Sequence, residues 1–314
     1  MVESKILIIT SSYDKTCNYL IDRYRNFNFF RLDVDRFSEY QIIFTQQGFE
    51  IRNSIENITN SSCNSIYFRK PSMESLHDIF ENKYHGYIHK ETYSFIEGIA
   101  ESFSGLVLSK PSIMRKANNK IYQASLLSKV GFVTPTLAIT NSSTALEQFT
   151  SRKGVIKPIA VGEISSGSLK EYVQTNMIDP SIKTDLFHYS PVYLQDYIDK
   201  DFEVRVTVVN ELFFSVKISS VNNVDWRKPN NKVKYSIYQI PDQIKKQCFE
   251  FMRLCGIKFG CFDFIIKDDL WFFLEMNANG QWAWLEFETG LNISGAIVDL
   301  LAGNSENSGD LSGD

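Results

Sequence analysis

The stretch Gly260-Cys261-Phe262-Asp263-Phe264, with its continuation Phe273-Leu274-Glu275-Met276-Asn277-Ala278-Asn279-Gly280, constrains this chain most. It reads as two adjacent apolar strands, each placing an acidic group on one face, with Asp268-Asp269 as the turn between them. Glu275 and Asn277 are two residues apart, so on a strand they point the same way. Carboxylates among Phe, Ile, Trp and Leu cost free energy unless something compensates them. Asp263, Glu275 and Asn277 together offer the oxygen donors that Mg²⁺ takes, usually one or two from protein while nucleotide phosphates complete the shell. A plain hairpin with incidental charges accounts for Asp268-Asp269 equally well. It accounts less well for Glu275 and Asn277, which sit inside an apolar strand.

The 314 residues suffice for two or three subdomains and a sizeable core. At 43% hydrophobic and 22% charged the composition is that of a globular protein. A net charge of −4, with scattered basic residues, gives no field for nucleic acid. No apolar run approaches the roughly 20 residues that span a bilayer, so no membrane partner is expected. Met1 to Thr10 carries Glu3 and no small-residue cleavage site, and reads as a strand rather than a signal peptide. Cys17, Cys63, Cys248, Cys255 and Cys261 form no CxxC pair and are odd in number, as expected of reduced thiols in a cytoplasmic protein. His85 and His89 could share a helix face, but no Cys or carboxylate pattern completes a zinc site.

Strands and helices alternate through the first third: strand Lys5 to Thr10, helix near Thr16 to Arg25, and strand Phe29 to Asp33. A hairpin follows around Gln46-Gln47-Gly48, then strand Ser65 to Lys70 ended by Pro71, a helix over Glu91 to Ser104, and strand Leu106 to Leu108. This is an α/β domain over 1–110. Beyond Pro111 come a helix over Ala117 to Lys129 closed by Gly131, strand Leu137 to Thr140, a helix to Thr150, and strand Gly154 to Ile159. Strands between Tyr189 and Lys217, a helix over Gln243 to Cys255, the acidic hairpin, and a last helix over Ile293 to Leu301 complete the order. The segments 111–188 and 189–302 read as two further subdomains, and 303–314 as a disordered tail with almost nothing to bury.

Two lysines precede the acidic hairpin. Lys120 lies in a helix, and Lys157 lies in the strand Val155-Ile156-Lys157-Pro158, where an ammonium among β-branched residues calls for an anion such as phosphate. The loop Val161 to Ser168 is rich in Gly and Ser and lets backbone N–H groups approach phosphates, although surface turns share that composition. Gln195-Asp196-Tyr197-Ile198 ends an apolar strand, and such an edge can present backbone groups to adenine while Asp199 takes the ribose hydroxyls; a solvated loop acid reads the same way. In Asp201 to Val209, Glu203, Arg205 and Thr207 alternate with Val204, Val206 and Val208. Lys217 sits on the next strand, followed by Asp225-Trp226-Arg227, whose guanidinium suits phosphate.

In this order the parts resemble the ATP-grasp superfamily from about Lys110 to Leu301. Asp225-Trp226-Arg227, Leu274 to Trp282 and Trp284 to Ile293 look more narrowly like the microviridin-type, or graspetide, peptide maturases, with 1–110 similar to their pre-ATP-grasp domain. The resemblance implies an α/β (α+β) ATP-grasp fold and an enzyme that uses ATP and Mg²⁺ to activate Asp or Glu side chains of a ribosomally made precursor peptide as acyl phosphates. Ser/Thr hydroxyls then give ω-esters, or Lys amines give ω-amides. It implies that Lys120 and Lys157 hold phosphates, Gln195 to Ile198 line the adenine pocket, Asp199 takes the ribose, and Asp263, Glu275 and Asn277 hold Mg²⁺. Arg205, Lys217 and Arg227 would face the γ-phosphate and acyl phosphate. It further implies a leader and core in the precursor, with Leu169 to His188 and the hairpin around Asn210 as candidate leader surfaces, and a homodimer. The rivals are a ligase adding free amino acids to a protein or peptide, a small-molecule kinase on the same fold, and a non-catalytic peptide-binding module.

Overall fold

The computed structural model describes residues 4–160, 162–166, 169–222 and 231–304, with backbone only for 163–166 and 169–172. The chain divides into two compact units, one formed by Met1–Arg115, Gly256–Phe259 and Asn292–Asp314, the other by Lys116–Cys255 and Gly260–Leu291. No described helix is long and apolar enough to cross a membrane.

The first unit grows from β1 (Lys5–Thr10), whose Ile6 to Ile9 are all buried. Such a continuous apolar run suits a strand covered on both faces. The helix α1 (Lys15–Arg23) begins where the Asp14 carboxylate accepts from the Thr16 and Cys17 N–H groups, satisfying donors a helix start leaves open. Then follow β2 (Phe29–Asp33), β3 (Gln41–Thr45), β4 (Gly48–Arg52), β5 (Asn57–Thr59) and β6 (Cys63–Phe68). The helix α2 (Asn82–Ser102) and β7 (Leu106–Leu108) complete the α/β run. The parallel sheet has the order β2-β1-β6-β7, and β3-β4-β5 form a separate antiparallel sheet. The last helix of the chain, Ile293–Ala302, packs on β6, and its Leu301 carbonyl accepts from both Asn64 Nδ2 and Ser65 Oγ.

α2 starts nine residues before the expected Glu91. Its buried positions Ile96, Ile99 and Ala100 all fall in the C-terminal half, so the first turns show no apolar period. The helix expected over Ala117 to Lys129 is α4 (Lys120–Val130), which starts later because Asn119 caps it through Oδ1 accepting from Ile121 N and Tyr122 N, both 3.0 Å, and a separate helix that was not expected, α3 (Pro111–Ala117), precedes it.

In the second unit, β8 (Leu137–Thr140), α5 (Ser143–Ser151) and β9 (Gly154–Lys157) lead to the paired strands β10 (Glu163–Ser166) and β11 (Leu169–Tyr172), then β12 (Asn176–Met177) and β13 (Val192–Asp196). Sheet β12-β9-β13-β8 is antiparallel and packs Leu194 against Leu146 and Phe149 of α5. β14 (Phe202–Val209), β15 (Leu212–Ser220), β16 (Val233–Ile237), α6 (Asp242–Cys255), β17 (Phe259–Lys267) and β18 (Leu270–Asn277) follow. Their five-stranded sheet has the order β16-β15-β14-β17-β18. One core of this unit is aromatic: the Phe132 ring stacks on Phe273 at 4.7 Å and meets Phe251 of α6, Phe262 and Phe264. The short helix α7 (Ala283–Thr289), which no apolar period announced, lies by β16, with Trp284 edge-on to Tyr235 at 5.1 Å. The helix Ile293–Ala302 is α8. From residue 305 the expected disordered tail lies outside the described residues.

Candidate active site

The second unit's two larger sheets each contribute one polar face. In β13, Tyr193 lies opposite Lys157 and Gln195 opposite Val155. Directly paired residues share a side of the sheet, so Tyr193, Gln195 and Lys157 face away from α5. The Lys157 ammonium lies 4.9 Å from the Tyr193 ring centroid and that of Lys120, arriving from α4, lies 5.8 Å from it. One buried ring thus supports both lysines, and such contacts are each worth about 0.5–2 kcal/mol. Burial raises the Tyr193 phenol well above its ordinary range, and the Glu275 charge adds to this, so it stays neutral between the cations.

In the five-stranded sheet, Asp263 pairs with Glu275 and Cys261 with Asn277. All three oxygen donors therefore lie on one face, Glu275 and Asn277 as their spacing predicts and Asp263 through the register shift between it and Phe264. Asn277 Nδ2 donates to Asp263 Oδ2 at 3.3 Å. Arg205, on β14, donates from Nη1 to both Asp263 oxygens at 3.0 and 3.2 Å. Burial opposes the Arg205 charge most strongly, but Asp263, Cys261 and Glu275 together outweigh it, and the guanidinium is held above its usual value. Lys120 Nζ lies 3.4 Å from Glu275 Oε2 and donates to the Pro158 carbonyl at 2.8 Å. Helix lysine, strand lysine and the acidic hairpin therefore meet: Lys120 touches Glu275, and both lysines touch Tyr193.

Gln195 is buried, and its Nε2 has no hydrogen-bond partner among the described residues. An unmet buried donor costs about 1–3 kcal/mol, which a ligand atom in this crevice would recover. Asp196 lies one residue on, turned toward α5, where its Oδ1 is 3.7 Å from Arg152 Nη2. Tyr197 N donates to the Lys153 carbonyl at 3.0 Å, and its ring receives the Lys153 ammonium at 4.4 Å. Burial first, then the Asp199 charge and hydrogen bond, raise the Tyr197 phenol. Ile198 is half-buried and Asp199 exposed.

Lys217 is not brought to this face. It pairs with Val204, whereas Arg205 pairs with Val216, so Lys217 and Arg205 lie on opposite sides of the sheet. Its ammonium sits 3.9 Å from the Phe202 ring centroid. The Asp225-Trp226-Arg227 motif lies outside the described residues, as do Val161 and Gly167-Ser168 of the Gly/Ser loop. The roles of Tyr193 and Gly280 were missed. Gly280 comes so close that a Cβ there would lie 2.6 Å from Cys261 Sγ and 3.0 Å from Arg205 Nη2. The glycine after Glu275-Met276-Asn277-Ala278-Asn279 was the available signal.

Among the described residues, no group of three or more His, Cys, Asp or Glu side chains forms a self-sufficient metal site. Asp263, Glu275 and Asn277 are instead two carboxylates and an amide, which fits Mg²⁺ sharing its shell with phosphate oxygens.

This chain belongs to the RimK-like ATP-grasp family, whose domain it matches over residues 117–301. Its fold is that of solved ATP-grasp ligases. A RiPP-associated ATP-grasp ligase from Chryseobacterium gregarium, in complex with ADP and a leader and core peptide, superposes at TM-score 0.85 with 24% identity, over 96% of this chain and 97% of that one. The macrocyclase MdnC from Microcystis aeruginosa MRC, bound with precursor peptide MdnA, gives 0.84 and 25% over 95% and 99%. The macrocyclase MdnB of the same organism gives 0.76 and 27%, also over 95% and 99%. No curated protein matches the chain.

Proposed function

We propose that this protein is an ATP-dependent peptide macrocyclase that joins side chains of a ribosomally made precursor peptide. The observation that carries the reading is the contact of Lys120 with Glu275 at 3.4 Å beside the Tyr193–Lys157 pair. It sets cations for phosphates against oxygen donors for a divalent ion in one crevice. The likeness to a ligase solved with a leader and core peptide and to a macrocyclase solved with its precursor peptide supports a peptide as the partner.

In this reading Lys120 and Lys157 hold the ATP phosphates, and Glu275, Asp263 and Asn277 hold Mg²⁺, which supplies charge neutralisation and orientation. Gln195 and the backbone of Asp196 to Ile198 line the adenine side, and Asp199 takes the ribose. Arg205 fixes Asp263 and adds positive charge near the reacting groups, with Arg227 the other candidate for that task. Lys217 is the weakest member of the set, given its place against Phe202. A carboxylate oxygen of the peptide attacks the γ-phosphorus, the bond to the β-phosphate oxygen breaks, and ADP leaves. A Ser/Thr hydroxyl, or a Lys amine, then attacks the acyl carbon, loses its proton, and expels phosphate. Such chemistry rests on positioning and charge neutralisation rather than on a side-chain nucleophile. We favour ester products, a cytoplasmic location, a homodimer, and three functional segments at 1–110, 111–188 and 189–302.

Mass spectrometry of a co-expressed precursor with Thr and Asp/Glu in its core tests the reading. The expected result is loss of one water per ring, reversed by mild base for esters. A phosphorylated product would instead mean a kinase, and a gain of amino-acid residues the amino-acid-adding ligase. Lys157→Ala is expected to lower turnover on the order of 100-fold while leaving the thermal midpoint nearly unchanged.

A further inference from the structure

Gln123 has so far had no role. It lies on α4 with 4% of its surface exposed, on the side of the helix that also buries Leu126 and Leu127. A glutamine on an apolar helix face needs partners for its donors and acceptor. Here they come from the backbone. Nε2 donates to the Met276 carbonyl at 2.7 Å and to the Ala117 carbonyl at 2.8 Å, while Oε1 accepts from Met276 N at 3.0 Å. Met276 is the residue between Glu275 and Asn277.

β18 is the last strand in its sheet order. An edge strand presents one row of backbone N–H and C=O groups without a strand partner. The Gln123 carboxamide takes up both such groups of Met276, as one residue of a neighbouring strand would. Two residues along, Asn118 Oδ1 accepts from Ala278 N at 2.8 Å. Side-chain amides from the α3–α4 junction and from α4 thus hold the backbone of Met276 and Ala278, on either side of Asn277. The same helix delivers Lys120 to Glu275.

The geometry points to Gln123, aided by Asn118, as a positioning residue that fixes the separation between the phosphate lysine and the Mg²⁺ donors. It touches neither nucleotide nor peptide. It acts by preventing β18 from rotating or sliding along α4, a movement that would turn Glu275 and Asn277 relative to Lys120. The inference rests on the ATP–Mg²⁺ reading above. Residues supporting metal ligands in this way commonly change metal affinity by about 10–100-fold.

The test is calorimetric titration of the full-length protein with ADP, with and without Mg²⁺, comparing the wild type with Gln123→Met, Gln123→Glu, Asn118→Leu and Asn118→Asp. The quantity read is the tightening of ADP binding that Mg²⁺ produces. Gln123→Met is expected to lower that tightening about 10-fold while ADP binding without Mg²⁺ stays within about two-fold. Gln123→Glu keeps the acceptor for Met276 N but can donate to a carbonyl only when protonated. Its deficit relative to wild type, measured at each pH, is therefore expected to shrink as pH falls. It also serves if Gln123→Met fails to fold. Asn118→Asp keeps the acceptor for Ala278 N and should match the wild type, whereas Asn118→Leu should not. Full Mg²⁺ tightening in Gln123→Met and Gln123→Glu, with only a lowered thermal midpoint, would overturn the inference and leave the nucleotide site intact. Absence of any Mg²⁺-dependent tightening in the wild type would instead remove the ATP–Mg²⁺ reading itself, and this inference with it.

Discussion

At the scale of single residues, the crevice shows what can be inferred from alternation and what cannot. Glu275 and Asn277 could be placed on one side because they belong to one strand; Asp263 could not, since the turn that pairs Lys267 with Leu270 would set it opposite Leu274, and it is the register shift between Asp263 and Phe264 that sets it opposite Glu275. The side on which Lys217 falls could not be inferred, because it depends on pairing. The two-residue turn Asn210-Glu211, with Asn210 at φ 53°, sets Val209 opposite Leu212 and so Val204 opposite Lys217. The contact of Gly280 with Cys261 and Arg205 is likewise invisible until the strands are paired. Gly280→Ala is expected to cost about 1–3 kcal/mol by overpacking and to lower turnover by disturbing Arg205. Adding Cys261→Gly should restore part of both, read by thermal melts and turnover. A second residue-scale prediction concerns Asp14. Burial opposes its charge, but the Arg69 guanidinium and several hydrogen bonds prevail, and its folded pKa lies below the usual carboxylate value. The stabilisation it contributes is therefore complete above about pH 5 and is lost as pH falls through the folded pKa. Asp14→Asn should be less stable than the wild type by on the order of 2 kcal/mol at pH 7, and urea melts should show the gap closing in acid.

At the scale of elements, strands were the legible part. Lys5 to Thr10, Phe29 to Asp33 and Leu106 to Leu108 form where their apolar runs indicate. Helices with a weak apolar period were harder to delimit. α2 begins in exposed turns, and α7 lies between Gly280 and Gly290 with only seven residues over which a period could show. The break between α3 and α4 turns on a single side chain, since Asn119 can cap a helix only by leaving one. The stop of α4 was clear in advance: Gly131 takes φ 79° and donates its N–H to the Leu127 carbonyl. Gly131→Ala should cost about 1 kcal/mol, whereas Ala at Gly86 in α2, where a Cβ meets nothing within 4 Å, should stabilise by about 0.5–1 kcal/mol. Denaturant midpoints of the two variants should move in opposite directions.

At the scale of the whole molecule, the described tryptophans, Trp271, Trp282 and Trp284, belong to the second unit, as do Lys120, Lys157, Asp263, Glu275 and Asn277. Tryptophan fluorescence therefore follows the unit that carries the crevice. ADP with Mg²⁺ at 100 times its dissociation constant is expected to stabilise the fluorescence-detected transition by about 2.7 kcal/mol. If unfolding occurs in two steps, the step silent in fluorescence should move far less. The path of the chain between the units carries a further implication for synthesis. β1 to β7 leave the ribosome before the second unit, yet α8, whose Leu301 carbonyl receives the Asn64 and Ser65 side chains, is translated after it. A nascent polypeptide halted before Asn292 can contain every residue of the crevice and still lack the helix that covers β6. Completion of the first unit is thus deferred until the second has been synthesised, and the nucleotide-handling unit is free to mature first.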